Sequence, residues 1–214
     1  SLVHAMAKVG DTVGVERIVV RMEAVKQEIS TVIYNALISA YSREGDASRA
    51  EHWLRVSIGC SKADVASYSA VIHACAKANM LSKAEAWLES MSRSRVEANV
   101  VTYNSVINAC ARCGDARRAE EWFERMRRQR IAPALSTFNS LINACAKGGD
   151  VTRAAYWLRS MPKFGIAPDG VSYGTVIHAC AVQHKPARAE KFLEQMCVDC
   201  AASKEQPSAF CYNS

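Results

Sequence analysis

The sequence predicts an all-α fold: a right-handed α-solenoid of stacked helix-turn-helix repeats with a period of 35 residues. Three observations predict it. First, one phrase is said five times, as Ile33-Tyr34-Asn35-Ala36-Leu37-Ile38, Ser67-Tyr68-Ser69-Ala70-Val71-Ile72, Thr102-Tyr103-Asn104-Ser105-Val106-Ile107, Thr137-Phe138-Asn139-Ser140-Leu141-Ile142 and Ser172-Tyr173-Gly174-Thr175-Val176-Ile177. Second, Arg49-Ala50, Lys83-Ala84, Arg118-Ala119, Arg153-Ala154 and Arg188-Ala189 keep the same beat, each followed by Trp53, Trp87, Trp122, Trp157 or Phe192. Third, the apolar residues of both phrases fall at helical spacing, i, i+3, i+4, i+7. Self-similarity at such a period marks an array of stacked units, so function is sought along a repeating surface and not in one pocket.

Taken in order, residues 1–30 read as the remnant of an N-terminal repeat, because Gly10-Asp11 is the same turn as Gly45-Asp46, Gly114-Asp115 and Gly149-Asp150. Full repeats follow at 31–64, 65–99, 100–134 and 135–169. In the best formed, 100–134, Tyr103, Val106, Ile107 and Cys110 make the apolar stripe of a first helix. Gly114 ends that helix and Asp115 caps the next. Ala119, Trp122, Phe123 and Met126 form the second stripe, and Ile131-Ala132-Pro133 breaks the chain before the next unit. The turn reads Asn79-Met80 in 65–99 and Lys185-Pro186 in 170–208. The unit 170–208 is irregular and longer, with four surplus residues in 197–206. Residues 209–214 start a further repeat. The chain is thus expected to begin and end inside repeats.

Composition narrows the classes. Twenty-seven Lys and Arg against 21 Asp and Glu give a net charge of +6, mildly basic, which suits an anionic partner. No run of 18 apolar residues occurs, so no membrane span is expected. Of nine cysteines, Cys75, Cys110, Cys145 and Cys180 recur on the apolar stripe and read as small buried hydrophobes. Cys110/Cys113 and Cys197/Cys200 are CxxC pairs without the second pair of ligands that zinc needs, so no metal and no cofactor is expected. The tryptophans and Met91, Met126, Met161 and Met196 read as core packing. No carboxylate cluster, nucleophile with a base or metal set is visible, so no enzyme and no small-molecule substrate is predicted.

One polar stripe is more regular than a solvated face requires. At +1, +5 and +9 from the aromatic stand Asn35, Ser39 and Arg43, then Ser69, His73 and Lys77, then Asn104, Asn108 and Arg112, then Asn139, Asn143 and Lys147. The fifth set is Gly174, His178 and Val182, and none of the fifteen positions holds a carboxylate. Spacing by four keeps each set on one helix face. Amides donate and accept at base edges, and spaced cations suit phosphates. His73 and His178 read as exposed polar residues and not as catalytic bases.

Over 31–208 the chain resembles the pentatricopeptide repeat family, on phrases such as Asn99-Val100-Val101-Thr102-Tyr103-Asn104-Ser105-Val106-Ile107 and Ile166-Ala167-Pro168-Asp169. The tetratricopeptide repeat, by contrast, has a usual period of 34 and lacks the Thr-Tyr-Asn opening. The resemblance implies binding of single-stranded RNA, one base per repeat, read by the fifth and last residues and wedged by the second. Carried over, 31–64 offers Asn35 and Asp64 with the wedge Val32, implying U. Repeat 65–99 offers Ser69 and Asn99 with Ala66, implying A. Repeat 100–134 offers Asn104 with Val101, but Ala134 stands in place of an acid or amide, which leaves a pyrimidine. Repeat 135–169 offers Asn139 and Asp169, implying U, with Ser136 in place of an aliphatic wedge. Repeat 170–208 keeps Val171 but has Gly174 and Ser208, and no base is assigned. The implied site is 5′-UAYU-3′, with Arg43, Lys77, Arg112 and Lys147 at the family's phosphate positions. The family also implies a mitochondrial or plastid location and a role in organellar RNA processing, stability or translation. The alternative reading is a helical-repeat protein-interaction scaffold within a larger assembly, with protein partners.

Overall fold

Among the described residues, every corner between helices is turned by a residue in the left-handed region of backbone space. Those at the ends of alternate helices are Gly10, Gly45, Asn79, Gly114, Gly149 and His184; those in the intervening corners are Lys26, Ser61, Arg95, Arg130 and Gly165. Both series step by 34 or 35 residues. Glycine takes the conformation without strain and asparagine tolerates it, which is why Asn79 can replace a glycine. In the fifth phrase the left-handed residue is His184, one position before the Lys185-Pro186 pair that the sequence marks as the turn.

The computed structural model describes residues 2–203, among which twelve α-helices occur and no strand. They are α1 (Leu2–Val9), α2 (Thr12–Ala24), α3 (Thr31–Glu44), α4 (Ala47–Gly59), α5 (Val65–Lys77), α6 (Leu81–Arg93), α7 (Val100–Cys113), α8 (Ala116–Arg128), α9 (Leu135–Lys147), α10 (Val151–Ser160), α11 (Gly170–Val182) and α12 (Pro186–Ser203). A 3-10 turn, Met161–Phe164, extends α10. The expected start of a further repeat at 209–214 lies outside the described residues, as does Ser208. The second helix of the long fifth unit runs to Ser203, well past the 13 residues of α4, α6 and α8.

The aspartate after each turn glycine starts the next helix. Asp46 accepts the backbone N–H of Arg49 at 2.9 Å, Asp115 that of Arg118 at 3.0 Å and Asp150 that of Arg153 at 2.9 Å. Each bond satisfies a donor that the first turn of a helix leaves open.

The chain divides into two compact units, Ser1–Ala109 and Cys110–Ser214. In the first, α1, α3 and α5 lie side by side, and α4 packs on both α3 and α5. In the second, α9 and α11 lie side by side, and α10 packs on both. α4 and α10 thus each cover their own first helix and the next one, as stacking of hairpins requires. The repeated phrase fills the space between. Tyr34, Tyr68, Tyr103, Phe138 and Tyr173 are buried, as are Cys75, Cys110, Cys145 and Cys180. Burial and the nearby carboxylates of Glu51 and Glu120 push the thiols of Cys75 and Cys145 up to about 12, which keeps them protonated and inert.

Two tyrosine hydroxyls find partners on the second helices, at the end of α6 or within α12. Tyr68 bonds Ser94 at 2.9 Å and Tyr173 donates to Asp199. Phe138, with no hydroxyl, instead sits in an aromatic cluster with Phe123, Trp157 and Phe164, whose centroids lie 5.5, 6.2 and 5.1 Å away.

Candidate nucleic-acid interface

In two places, one in each unit, the fifth residue of one phrase and the last residue before the next meet at the N-terminus of a first helix. Asp64 caps α5: its Oδ1 accepts the backbone N–H of Ser67 at 2.9 Å. The same carboxylate accepts Nδ2 of Asn35, at 3.0 Å to Oδ1 and 2.9 Å to Oδ2. Asn35 Oδ1 in turn accepts the hydroxyl of Ser67. The second unit repeats this arrangement. Asp169 caps α11 through Ser172 N–H at 2.8 Å, Asn139 Nδ2 donates to Asp169 at 3.3 Å, and the Ser172 hydroxyl donates to Asn139 Oδ1 at 2.6 Å. Burial raises the Asp64 carboxyl, but the donors from Ser67 and Asn35 outweigh it and hold the group below its ordinary value.

The other two pairs differ. Asn99 spends Oδ1 on the N–H groups of Val101 and Thr102, at 3.0 and 3.1 Å, and so caps α7. Ser69 turns its hydroxyl back to the Val65 carbonyl at 2.6 Å. Ala134 occupies the extended N-cap position of α9 with no side-chain cap. Asn104 is half-buried on α7. Gly174 is buried and presents no side chain to the stripe.

The wedge positions are exposed on the first turns of these helices. Val32, Val101 and Val171 are 63%, 56% and 58% exposed, high for β-branched apolar residues, and Ala66 and Ser136 are exposed with them. An apolar residue standing in solvent at the same place in three phrases offers a surface for stacking or wedging a planar group.

The four cations stand in the last turns of α3, α5, α7 and α9 and are exposed. That placement also suits the negative end of each helix dipole. Arg43 donates one guanidinium nitrogen to the Ala7 carbonyl, a partner that the sequence did not reveal. In the second unit Lys147 lines a cleft of about 350 Å³ together with Asn143, His178 and Val182. These are the +5 and +9 positions of two successive phrases, brought together between α9 and α11. Thr175 and Gln183 complete its wall. Gln183 is fixed by donating to the Gly149 carbonyl. His73 is exposed at the surface, but the protein atoms around its ring still strip away part of its water, and this, followed by the charge of Lys77, lowers its pKa. Among the described residues no three His, Cys, Asp or Glu side chains gather into a metal site, and no helix is long and apolar enough to cross a membrane.

Sequence reasoning missed Ser67 and Ser172. The only signal they leave is the ordinary one of a hydroxyl three residues after an N-cap.

Family models match across most of the chain. The pentatricopeptide repeat domain matches residues 61–111 and 86–148, the PPR repeat family matches 133–182, and the PPR repeat matches 32–56 and 171–199. No curated protein matches in sequence. Among solved structures, the pentatricopeptide repeat protein PPR10 from maize superposes with a TM-score of 0.70 at 20% identity, covering 99% of this chain and 34% of that one. PPR10 in complex with an 18-nucleotide psaJ RNA element gives 0.62 at 22% identity, covering 99% and 36%. The PPR domain of Arabidopsis thaliana protein-only RNase P 1, in complex with tRNA, gives 0.68 at 16% identity, covering 82% and 91%. The chain spans about a third of the length of the maize protein. These likenesses show the helical-repeat fold.

Proposed function

The chain belongs to the pentatricopeptide repeat family, and from that premise we propose that it binds single-stranded RNA sequence-selectively, one base per repeat, over a site of the form 5′-UAYU-3′. The observation that carries this reading is the Asn–Asp–Ser bracket, present in each unit at Asn35, Asp64 and Ser67 and at Asn139, Asp169 and Ser172. A bracketed amide keeps one N–H and one carbonyl lone pair for a base edge. The exposed valines at 32, 101 and 171 supply wedges, and Lys77, Arg112 and Lys147 supply phosphate contacts, with Arg43 contributing its remaining donors. The RNA complexes of the maize and Arabidopsis proteins support the same reading.

The mechanism is occupancy and not chemistry. An extended strand has its bases held between successive wedges, which hides it from nucleases, keeps it from folding back, or presents it to a processing enzyme. We place that work in mitochondrial or plastid RNA processing, stability or translation.

The test is fluorescence anisotropy with two labelled single strands, one carrying UACU sites and one scrambled, at two salt concentrations. Tighter binding of the matched strand, weakening with salt, is expected. Equal weak binding of both strands contradicts base reading. Binding of neither returns the chain to the class of protein-interaction scaffolds.

A further inference from the structure

An asparagine amide is a poor reader if it can turn over. Uracil presents an acceptor at O4 beside a donor at N3, whereas cytosine presents a donor at N4 beside an acceptor at N3. One flip state of an amide complements the first edge, and the opposite state complements the second. A freely flipping amide therefore accepts both pyrimidines. Selectivity needs something that fixes which side donates.

We infer that Ser67 and Ser172 are positioning residues for base specificity: their buried hydroxyls fix the flip state of Asn35 and Asn139, so that these amides read uracil and refuse cytosine. The inference rests on the RNA reading proposed above. Both serines are fully buried. Asp64 accepts from the amide nitrogen of Asn35 on one side, and Ser67 donates to the amide oxygen on the other. In both units the serine proton has two acceptors and the amide oxygen is the nearer: Ser67 lies 3.0 Å from Asp64 Oδ1 and closer to Asn35 Oδ1, and Ser172 lies 2.6 Å from Asn139 Oδ1 and 2.8 Å from Asp169 Oδ1. Turning either amide over would set its carbonyl against a carboxylate and its NH₂ against the hydroxyl. That hydroxyl already has donors to accept, the backbone N–H of Asp64 or of Asp169, each at 3.2 Å.

The molecule contains its own contrast. Thr102 holds the equivalent place after Asn99, but the residue above it in the first helix is Ser69, which has no amide. Its hydroxyl turns to the Asn99 carbonyl at 2.7 Å. The hydroxyl therefore serves the helix start in all three, and serves an amide at Asn35 and Asn139.

The experiment compares the unaltered protein with S67A/S172A and S67T/S172T on strands carrying U or C at the first and fourth positions of the site. Loss of the helix-cap role weakens both strands alike and leaves the U-to-C affinity ratio unmoved. Loss of amide orientation lowers the ratio, by about three- to tenfold for one hydrogen bond per base. Threonine, tolerated in the same buried place at 102 and 137, should restore it. A ratio kept in the alanine variant overturns the inference while leaving the RNA reading intact. An unaltered protein that binds U and C strands equally overturns both. A measurement on the unaltered protein guards against an alanine variant that does not fold: by NMR without RNA, the side-chain NH₂ groups of Asn35 and Asn139 should exchange with solvent more slowly than that of exposed Asn108. Equal exchange rates overturn the fixed amide directly.

Discussion

At the scale of the residue, Asp64 and Asp169 each do two jobs with one carboxylate, starting a helix and holding an amide. Ala134 stands at the same place and does neither, although its backbone, φ −107° and ψ 173°, matches that of Asp169 at −106° and 179°. Ala134→Asp therefore needs no backbone change. It should raise the unfolding free energy by about 1 kcal/mol, measured by urea titration, because it adds a missing N-cap. By the register of the repeat code it should also move the third base toward U. Exchanging Asn104 for Ser together with Ala134 for Asn rebuilds the pair of Ser69 and Asn99 and should move the same base toward A. Unchanged binding to all four bases would show that the register is wrong. Acid offers a second test of the dual role. The folded Asp64 carboxyl lies below its ordinary value of 3.8, so its contribution to stability is present above that value and is lost as pH falls through the lower folded one. The cost of Asp64→Ala should accordingly be full at neutral pH and close only in strong acid. The positions proposed as readers could be named from the sequence because the family fixes their spacing. Ser67 and Ser172 were not, because a buried hydroxyl at the third helical position is written with the same letters whether or not an amide lies above it.

At the scale of the element, the second helices are tied together by something the periodic pattern hid. Glu51 on α4 is 5% exposed and accepts Trp87 Nε1 at 3.1 Å and Lys83 Nζ at 3.0 Å, both from α6. Glu120 on α8 accepts Trp157 Nε1 at 2.8 Å and pairs with Arg153 at 2.8 Å, both from α10. Where the next carboxylate is missing, at Ala155, the following tryptophan is missing too, and Phe192 replaces it. Trp53 Nε1 is buried without a partner. The tryptophans were read as apolar packing, and Trp53, Trp122 and Trp157 are buried while Trp87 is half-buried. Their N–H groups went unread because each acceptor lies 36 or 37 residues earlier, on a helix whose other charges face water. A contrast between two substitutions isolates the bond. Trp53→Phe and Trp157→Phe make the same change of ring, but only the second strips a half-buried carboxylate of a donor. Trp157→Phe should cost more by about 1.5–3 kcal/mol, the range for a hydrogen bond to a charged group. Equal losses in chemical denaturation would mean that the indole–carboxylate bond adds nothing to the packing.

At the scale of the whole molecule, the fold class was the most legible feature, because a 35-residue beat can be satisfied only by units that cover one another's apolar faces. Its charge is subtler. The net value of +6 is small, and most of the arginines of α8 lie among the acidic residues of the same helix, as in the pairs Arg117–Glu121 and Arg127–Glu124. What the stripe presents is therefore not a basic surface but one exposed cation in each of four repeats, at the end of α3, α5, α7 and α9. Four phosphates neutralised on a single strand give a log–log salt slope of about −3, from about −0.7 per contact. A bulk electrostatic attraction would instead respond to the removal of any surface cation. Lys77→Ala and Arg117→Ala both remove one positive charge, so net charge alone predicts equal effects. If the cations act rung by rung, Lys77→Ala should weaken every RNA sequence alike and make the slope shallower by about 0.7, while Arg117→Ala should leave it unchanged. Loss of affinity for a single sequence in Lys77→Ala would instead place that lysine at a base and not at a phosphate.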